Sequence, residues 1–368
     1  MEIYGGKLVA KGSNTCIFNP SIPCSKGNDK DINKVSKLLI DKSKQRELLI
    51  NKKISKLVDN NLWSVLFTEK CNSPKYNEFF KHDKSIKKCL NELDIEVDEF
   101  DNMNSILLLS KYGGLSMSKH FKIIARKIEK TNNEVLLQKL VYKFFEIIYY
   151  LFYGLYVLNK GNYVHFDIKP ENIVFDNEHY KYIDFGITTS NNNKEPVKKR
   201  LINEFNTNRH YPYYSPELLY IYQPINKLQK EYSNKRKHYV KVLNIHSIFN
   251  RNIDDVYYKT LDYIIDNPMR SRVNIVKKID VYSLGYTLVE TLIDNLSKSK
   301  LMYILSKPYL NDFYDLLEDM TEPLSHNRIT STEAYNRFKN ICLSSGINIR
   351  PQRRSSRRSQ RRSSRRSQ

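Results

Sequence analysis

The chain has 368 residues, of which 40% are hydrophobic, and its formal net charge is +21. That apolar content is enough to bury a sizeable core, and it excludes a wholly disordered chain. Residues 350–368 contain nine arginines and no acidic residue, and subtracting those nine charges from +21 leaves +12 for the rest. The excess positive charge favours anionic partners, without distinguishing among nucleic acid, a membrane surface and an acidic protein.

The cysteines and the N-terminus lead to an expectation about location. Five cysteines, an odd number at irregular spacing, predict neither a zinc site nor a disulfide framework. The first residues lack the charged and apolar regions of a signal peptide. The longest apolar run, 147–158, is shorter than the roughly 18 residues that span a bilayer. We therefore expect a soluble intracellular protein in a reducing compartment.

The first 110 residues predict short strands and one helix. The strand-like runs are 8–18, 35–40 and 104–110. Between the last two, the Lys-rich stretch 41–59 carries apolar residues at helical spacing, which predicts an amphipathic helix.

After residue 110 the pattern becomes mainly helical. Apolar residues recur every three or four positions from Leu137 to Leu155, which predicts a long, packed helix that ends near Gly161. Two strand-like runs follow, 173–175 and 180–183, and the Asp-Asn-Glu-His sequence between them predicts a hairpin. Residues 221–278 are basic and are predicted to be helical. An eight-residue Arg/Ser repeat occupies 353–368 without an apolar residue, so the tail from 347 is predicted to be disordered.

One constellation of residues points to chemistry. His165-Phe166-Asp167-Ile168-Lys169-Pro170-Glu171-Asn172 precedes the predicted hairpin, and Asp184-Phe185-Gly186 follows it. The two ends of a hairpin lie together, so Asn172 and Asp184 are expected side by side, near Asp167. Oxygen ligands of this kind suit a Mg²⁺ ion that bridges phosphates. Phosphoryl transfer needs little more than such a metal site, a positioned hydroxyl group and a carboxylate.

These two motifs resemble the catalytic loop and the metal-binding loop of eukaryotic-type protein kinases. The resemblance implies an α+β, bilobal fold, with a small β-rich N-lobe at 1–110 and a larger helical C-lobe at 111–346. It implies that Asp167 is the catalytic base, that Lys169 is a cation near the transferred phosphoryl group, and that Asn172 and Asp184 bind Mg²⁺. A lysine two places after the base, followed by Pro-Glu-Asn, is similar to the Ser/Thr-specific branch.

Three later segments resemble further parts of the same family. Ser215-Pro216-Glu217 resembles the end of the activation segment, and Asp280 begins a segment similar to the central buried helix, whose Asp holds the catalytic-loop backbone. Arg328 matches the late arginine of the family. The resemblance predicts a buried ion pair between Glu217 and Arg328.

The predicted nucleotide site is more degraded than the catalytic loop. The segment that includes Ala10, Gly12, Ser13, Thr15 and Ile17 aligns with the glycine-rich loop of the family, but only Gly12 remains of three glycines. By the same resemblance, Lys37 is the candidate for the lysine that reaches the α- and β-phosphates of ATP, and Glu47 is the candidate partner of Lys37. The adenine is expected against the strand and connector 109–114.

Two departures from the family pattern change expectations about regulation and substrate. Phe166 replaces the arginine that normally receives an activation-loop phosphate, so we predict activity without phosphorylation in 187–212. His210 lies where Ser/Thr kinases usually carry a threonine, which weakens the prediction of hydroxyl selectivity. The basic insertion 221–278 is either a solvated face or a docking surface for an acidic substrate or nucleic acid.

The sequence thus predicts an ATP- and Mg²⁺-dependent Ser/Thr protein kinase. Its composition, short N-lobe and long insertion are similar to divergent kinases of large nucleocytoplasmic DNA viruses, especially giant viruses of amoebae, which implies the host cytoplasm or the virion as its location. A pseudokinase scaffold, a small-molecule kinase and a nucleic-acid-binding protein that acts through its Arg/Ser tail are the alternatives. No membrane span is expected.

Overall fold

The N-terminal region is built on a five-stranded antiparallel sheet. A computed structural model of the chain describes residues 6–12, 15–25, 33–40, 45–80, 83–190, 195–206, 211–220, 222, 223, 226, 244–267 and 271–349. The strands of the sheet are β1 (Lys7–Gly12), β2 (Thr15–Asn19), β3 (Lys34–Leu39), β4 (Glu69–Asn72) and β5 (Ile106–Lys111), in the spatial order β1-β2-β3-β5-β4. The predicted strand runs 35–40 and 104–110 are confirmed as β3 and β5, the run 8–18 divides into the antiparallel strands β1 and β2, and β4 lies outside the predicted runs.

The central strand β3 is covered on both faces. Val35 and Leu39 pack with Leu48 in one buried cluster, and Leu38 packs in a second cluster on the opposite face. Because side chains alternate between the two faces of a strand, Lys37 lies on the face of Val35 and Leu39. That face is covered by the helix that carries Leu48, so the lysine is buried beside a helix rather than exposed to solvent.

Four α-helices lie in the described part of the first 110 residues: α1 (Arg46–Ile54), α2 (Asn60–Trp63), α3 (Lys84–Glu92) and α4 (Val97–Asn102). The predicted helix at 41–59 corresponds to α1, which is shorter, and residues 41–44 lie outside the described part. The helix α3 was not predicted, although its start carries a signal. The Asp83 carboxylate accepts hydrogen bonds from the backbone N–H groups of Ser85 and Ile86, as an N-cap does.

The expectation that the cysteines form no disulfide is wrong. Disulfides join Cys16 to Cys89 and Cys24 to Cys71, and Cys342 is free and buried. The partners are 73 and 47 residues apart in the chain, so sequence spacing does not reveal them. The fold brings the Cα atoms of the two pairs to distances of 6.2 and 5.8 Å. The cysteine content therefore no longer supports a reducing compartment.

The C-terminal region is a bundle of helices around one long central helix. The α-helices are α5 (Met117–Glu129), α6 (Glu134–Lys160), α7 (Glu195–Asn206), α8 (Pro216–Tyr220), α9 (Ile253–Asp266), α10 (Ser271–Asn295), α11 (Lys298–Leu305), α12 (Asn311–Met320) and α13 (Ser331–Ser344). The long helix predicted around Leu137 to Leu155 is α6, and its Phe152 stacks on Phe338 of α13 with ring centroids 4.1 Å apart. By length and composition α6 would pass as a membrane span, but 61% of its most apolar window is buried inside the protein. That burial is typical of a core helix.

Short strands connect the two regions and position the site. The strands β6 (Leu115–Ser116), β8 (Ile173–Phe175) and β9 (Tyr180–Tyr182) form one small sheet, and β7 (Tyr163–Val164) pairs with β10 (Thr189–Ser190). The β8–β9 pair is the predicted hairpin, and the Asp176 carboxylate closes its turn by accepting from the N–H groups of Glu178 and His179. Just before β6, Gly114 has φ +91°, and a Cβ there would lie 1.8 Å from the Phe175 carbonyl oxygen, so only glycine fits.

Parts of the predicted organisation fall outside the described residues. In the insertion 221–278 the structure shows α9 and the start of α10, in agreement with the helical prediction, while 227–243 are not described. The repeat tail, 350–368, also lies outside the described residues.

Candidate active site

The backbone of the predicted catalytic loop is held by a buried carboxylate. Asp280, in α10, accepts hydrogen bonds from the N–H groups of His165 (2.6 Å) and Phe166 (2.9 Å). Phe166 has φ +68°, which is unfavourable for a bulky L-residue, so the loop needs such support. Burial raises the pKa of Asp280, while the hydrogen bonds from both N–H groups act against that rise. The predicted role of Asp280 in holding this loop is confirmed.

The carboxylate of Asp167 lies at the centre of the loop with donors on both oxygens. Its Oδ2 accepts a hydrogen bond from Asn172 Nδ2 at 2.7 Å and lies 3.3 Å from Lys169 Nζ. Its Oδ1 accepts a hydrogen bond from the Tyr211 hydroxyl at 2.5 Å. The structure therefore brings together Asp167, Lys169 and Asn172, as the sequence predicts.

Asp184 reaches the same place from the other end of the hairpin. The Ile183 N–H donates to the Asn172 carbonyl oxygen at 3.0 Å, so the two ends of the hairpin lie side by side. Asp184 has φ +59° and its side chain is 43% exposed. Partial burial raises the pKa of Asp184, but the ion pair with Lys37 outweighs it, and the pKa lies below its ordinary value.

Lys37 connects the sheet to the predicted metal-binding loop. Its Nζ lies 2.8 Å from a Glu47 carboxylate oxygen and 3.1 Å from Asp184 Oδ1, and only 6% of its side chain is exposed. Burial alone lowers the pKa of Lys37, but Asp184 and Glu47 hold it above the ordinary value. Burial also raises the pKa of Glu47. Lys37 and Glu47 therefore form the predicted pair, whereas their part in nucleotide binding stays a prediction.

The described residues of the predicted nucleotide loop lie at the end of β1 and the start of β2. Ala10 pairs with Ile17 and Gly12 pairs with Thr15, while Ser13 lies outside the described residues. A Cβ on Gly12 would lie 2.6 Å from Thr15 Oγ1, so a larger residue there would require the Thr15 side chain to move. Ile17 is paired in turn with Lys37 across β2 and β3, so the loop and the lysine share one rigid sheet.

The predicted buried pair at the end of the activation segment is confirmed. Arg328 Nη2 lies 3.3 Å from Glu217 Oε1, and both side chains have no exposed surface. Arg328 also donates to the carbonyl oxygens of Lys278, Glu322 and Pro323. The pair therefore holds the Ser215-Pro216-Glu217 end of the activation segment in the protein interior.

The structure also reveals contacts that sequence reasoning missed. The Tyr211 hydroxyl contacts the candidate base, and the Arg200 guanidinium lies 5.2 to 5.8 Å from the ring centroids of Tyr211, Tyr214 and Phe166. The available signal was the run of aromatic residues just before Ser215, next to the unusual Phe166. His210, which the resemblance places near the base, lies outside the described residues.

The donor set fits a magnesium ion that is shared with phosphates. Within the described ranges, no group of three or more His, Cys, Asp or Glu residues is arranged to hold a metal by itself. Asn172 and Asp184 offer one amide and one carboxylate, and Asp184 is exposed enough to be reached from solvent. Mg²⁺ typically takes one or two protein carboxylates and fills its other positions with phosphate oxygens and water. The chemistry of these residues therefore suits the metal.

The fold and the site together define a class. The N-terminal region is a β-sheet with a buried lysine–carboxylate pair, and the C-terminal region is helical. Between them lies a loop that carries a carboxylate, a lysine and an amide. This arrangement is the bilobal α+β kinase fold. The family model of the protein kinase domain matches residues 80–338. The chain therefore belongs to the protein kinase family. No curated protein matches the sequence. The matched range contains the catalytic loop and begins after Lys37 and Glu47, whose placement rests on their geometry.

Proposed function

We propose that this protein is an active Ser/Thr protein kinase, which transfers the γ-phosphoryl group of ATP to a hydroxyl group of a protein substrate. The strongest support is the convergence of four groups from distant segments. Lys37 is bonded to Asp184, 147 residues away, and Asp184 follows the hairpin that Asn172 precedes, with Asp167 hydrogen-bonded to Asn172. A scaffold that only binds partners has no need of this complete set.

Asp167 acts as the base in the proposed reaction. The substrate oxygen forms a bond to the γ-phosphorus, the bond from that phosphorus to the β–γ bridging oxygen breaks, and Asp167 accepts the proton of the hydroxyl group. Lys169, 3.3 Å from Asp167, supplies positive charge beside the transferred group. Bound Mg²⁺ supplies neutralisation of phosphate charge, and Asn172 and Asp184 are the residues that would hold it.

The sheet supplies the nucleotide side of the site. Lys37 is proposed to contact the α- and β-phosphates, with Glu47 fixing the orientation of its ammonium group. The backbone around Gly12, between Ala10 and Thr15, would cover the phosphates, and Ile17 would pack near the nucleotide. The ion pairs of Lys37 Nζ with Glu47 and Asp184 support this role, because a preorganised ammonium group loses little entropy when the phosphates bind.

Ser/Thr specificity is the finer part of the proposal. It is supported by Lys169 two places after the base and by the Pro-Glu-Asn sequence that follows.

The Arg/Ser tail is proposed to make nonspecific contacts with nucleic acid or acidic protein, because nine arginines without an acid attract phosphates. Steeply salt-dependent retention of the full chain on single-stranded DNA, lost on truncation after 349, would support that role.

A pseudokinase is the second candidate, and one observation favours it. Only Gly12 remains of the three glycines that the family loop carries, so backbone contacts with phosphates are fewer. In that case the protein would bind acidic partners or nucleic acid through basic surfaces without transferring phosphate.

Radiolabelled ATP distinguishes the two candidates. Wild-type protein with Mg²⁺ is expected to label Ser or Thr in a mixed panel of basic and acidic protein substrates, and Asp184→Ala is expected to abolish the label. Asp312→Asn, at an exposed position far along the chain, is the matched control and should label normally. Equal labelling by wild type and Asp184→Ala would contradict the catalytic assignment. ATP binding without any transfer would establish the pseudokinase, and phosphotyrosine as the product would contradict the Ser/Thr assignment.

A further inference from the structure

The candidate base has a resident partner that the proposed mechanism does not use. The Tyr211 hydroxyl donates to Asp167 Oδ1 at 2.5 Å, the length typical of an O–H group bonded to a charged oxygen. Asn172 donates to the other oxygen, Oδ2, at 2.7 Å. A carboxylate bonded at both oxygens has one preferred orientation. A carboxylate has about four acceptor positions, and Tyr211, Asn172 and Lys169 occupy three of them, so a substrate hydroxyl group does not have to displace Tyr211.

Arg200 holds the tyrosine from the activation segment. The guanidinium carbon lies 5.2 Å from the ring centroid of Tyr211, 5.4 Å from that of Tyr214 and 5.8 Å from that of Phe166. Such distances are within the range of a cation–π interaction. Tyr214 also contacts the other two rings, since it stacks on Phe166 and meets Tyr211 edge-on, with 4.8 Å between ring centroids in each pair. One cation thus joins the helix α7 to the catalytic loop.

The surroundings of Tyr211 indicate a fixed element rather than a gate. The Tyr214 N–H donates to the Tyr211 carbonyl oxygen at 3.1 Å, which closes a tight turn. Tyr214 is 2% exposed, and its hydroxyl donates to the Phe166 carbonyl oxygen at 3.0 Å. Three residues further on, Glu217 is locked by Arg328. A gating residue would have to move away from the site at little cost in free energy. This turn cannot do so easily, because the residues on its C-terminal side are bonded to buried groups.

We propose that Tyr211 is a positioning residue that fixes the orientation of the Asp167 carboxylate, and that Arg200 positions Tyr211 in turn. The inference rests on the proposed function, because it assigns a task in the same reaction. It also gives a physical account of Phe166, whose ring supplies one face of the Arg200 site. Arg200 and the three aromatic rings join the activation segment to the catalytic loop, and this contact does not require phosphorylation of the activation segment.

Steady-state kinetics of single variants provide the first test. Tyr211→Phe keeps the ring and removes one hydrogen bond to a charged group, so kcat is expected to fall about 10- to 100-fold, with KM for ATP and peptide within about twofold of wild type. Arg200→Met is expected to lower kcat about two- to fivefold, and Arg200→Lys to recover part of that loss. Tyr314→Phe, which loses a hydroxyl bond to the Ile248 carbonyl oxygen outside the site, and Lys199→Met, an exposed neighbour of Arg200, are the controls and should leave kcat unchanged.

A double-mutant cycle separates positioning from a general structural effect. If Tyr211 acts through Asp167, then Tyr211→Phe should not lower the residual rate of Asp167→Asn any further. The wild type, the two single variants and the double variant are also expected to show non-additive changes in the free energy of urea unfolding. A further loss in the Asp167→Asn background, an unchanged kcat in Tyr211→Phe, or a rise in kcat, as expected of a gate, would each overturn the proposal. If wild type transfers no phosphoryl group, the proposed function fails and positioning of a base fails with it. A normal wild-type rate with an unchanged Tyr211→Phe variant overturns the positioning role alone.

Discussion

Replacing Arg328 by methionine is expected to be among the most damaging single changes outside the catalytic loop. The side chain is fully buried and donates to Glu217 Oε1 at 3.3 Å and to three backbone carbonyl oxygens at 2.8 to 3.2 Å. Its guanidinium also lies 5.0 Å from the ring centroid of Tyr282. Methionine fills much of the volume and satisfies none of these partners.

The magnitude follows from what the substitution leaves behind. Glu217 would remain in the interior without its cation, and breaking a buried pair in this way costs about 3–5 kcal/mol of unfolding free energy. Burial raises the pKa of Glu217 and lowers the pKa of Arg328, so the interior already disfavours both charges. Removing both charges in Glu217→Gln with Arg328→Met should therefore cost less than Arg328→Met alone.

Urea unfolding, followed by circular dichroism and by the fluorescence of the single, buried Trp63, measures these costs. Arg337→Met is the matched control, because Arg337 pairs with Asp319 where both side chains are 38% or more exposed, and such a surface pair contributes about 0–1 kcal/mol. An Arg328→Met variant that lost no more stability than Arg337→Met, or a double variant that lost the sum of its two single variants, would contradict the role given to the buried pair.

Three further predictions concern the nucleotide site, pH dependence and the disulfides. Lys37→Met should abolish phosphoryl transfer. Lys34→Met should not, because Lys34 lies on the same strand but pairs with Glu69, where both side chains are partly exposed. Similar rates of the two variants would contradict the role of Lys37. Burial lowers the pKa of His246 to about 3, and the charges of two neighbouring arginines act in the same direction. As pH falls below about 6.5, His246 therefore binds a proton in the unfolded chain and stays neutral in the folded protein, so that folding becomes less favourable. About 2 kcal/mol of stability should be lost between pH 7 and pH 5, and His246→Gln should remove that part of the slope in chemical unfolding at both pH values. Protein purified and denatured without reductant should titrate one thiol, Cys342, and reduction should cost about 2–4 kcal/mol per bridge; five thiols would show that the bridges do not form.

Local patterns were enough to predict much of the fold and the catalytic loop. The helix α6 and the β8–β9 hairpin follow from periodicity and turn residues within one segment, because burial of one face imposes a repeat on the sequence. Asp167, Asn172 and Asp184 lie within 17 positions of each other, and the hairpin between them explains their proximity. The helices α2, α3 and α4 were missed because they are only four to nine residues long, which is too short for a clear helical repeat of apolar residues.

The sequence by itself determined that the chain resembles the kinase family and which residues carry the catalytic motifs, because those motifs are contiguous. Only the tertiary structure decided which of many lysines is buried beside Glu47, since burial of Lys37 depends on how α1 packs on one face of β3, and a local repeat does not specify that packing. It also decided the pairing of four cysteines and brought Tyr211 and Arg200 to the catalytic loop. These contacts join residues tens to more than a hundred positions apart, and no local repeat records which side chains a fold will bring together.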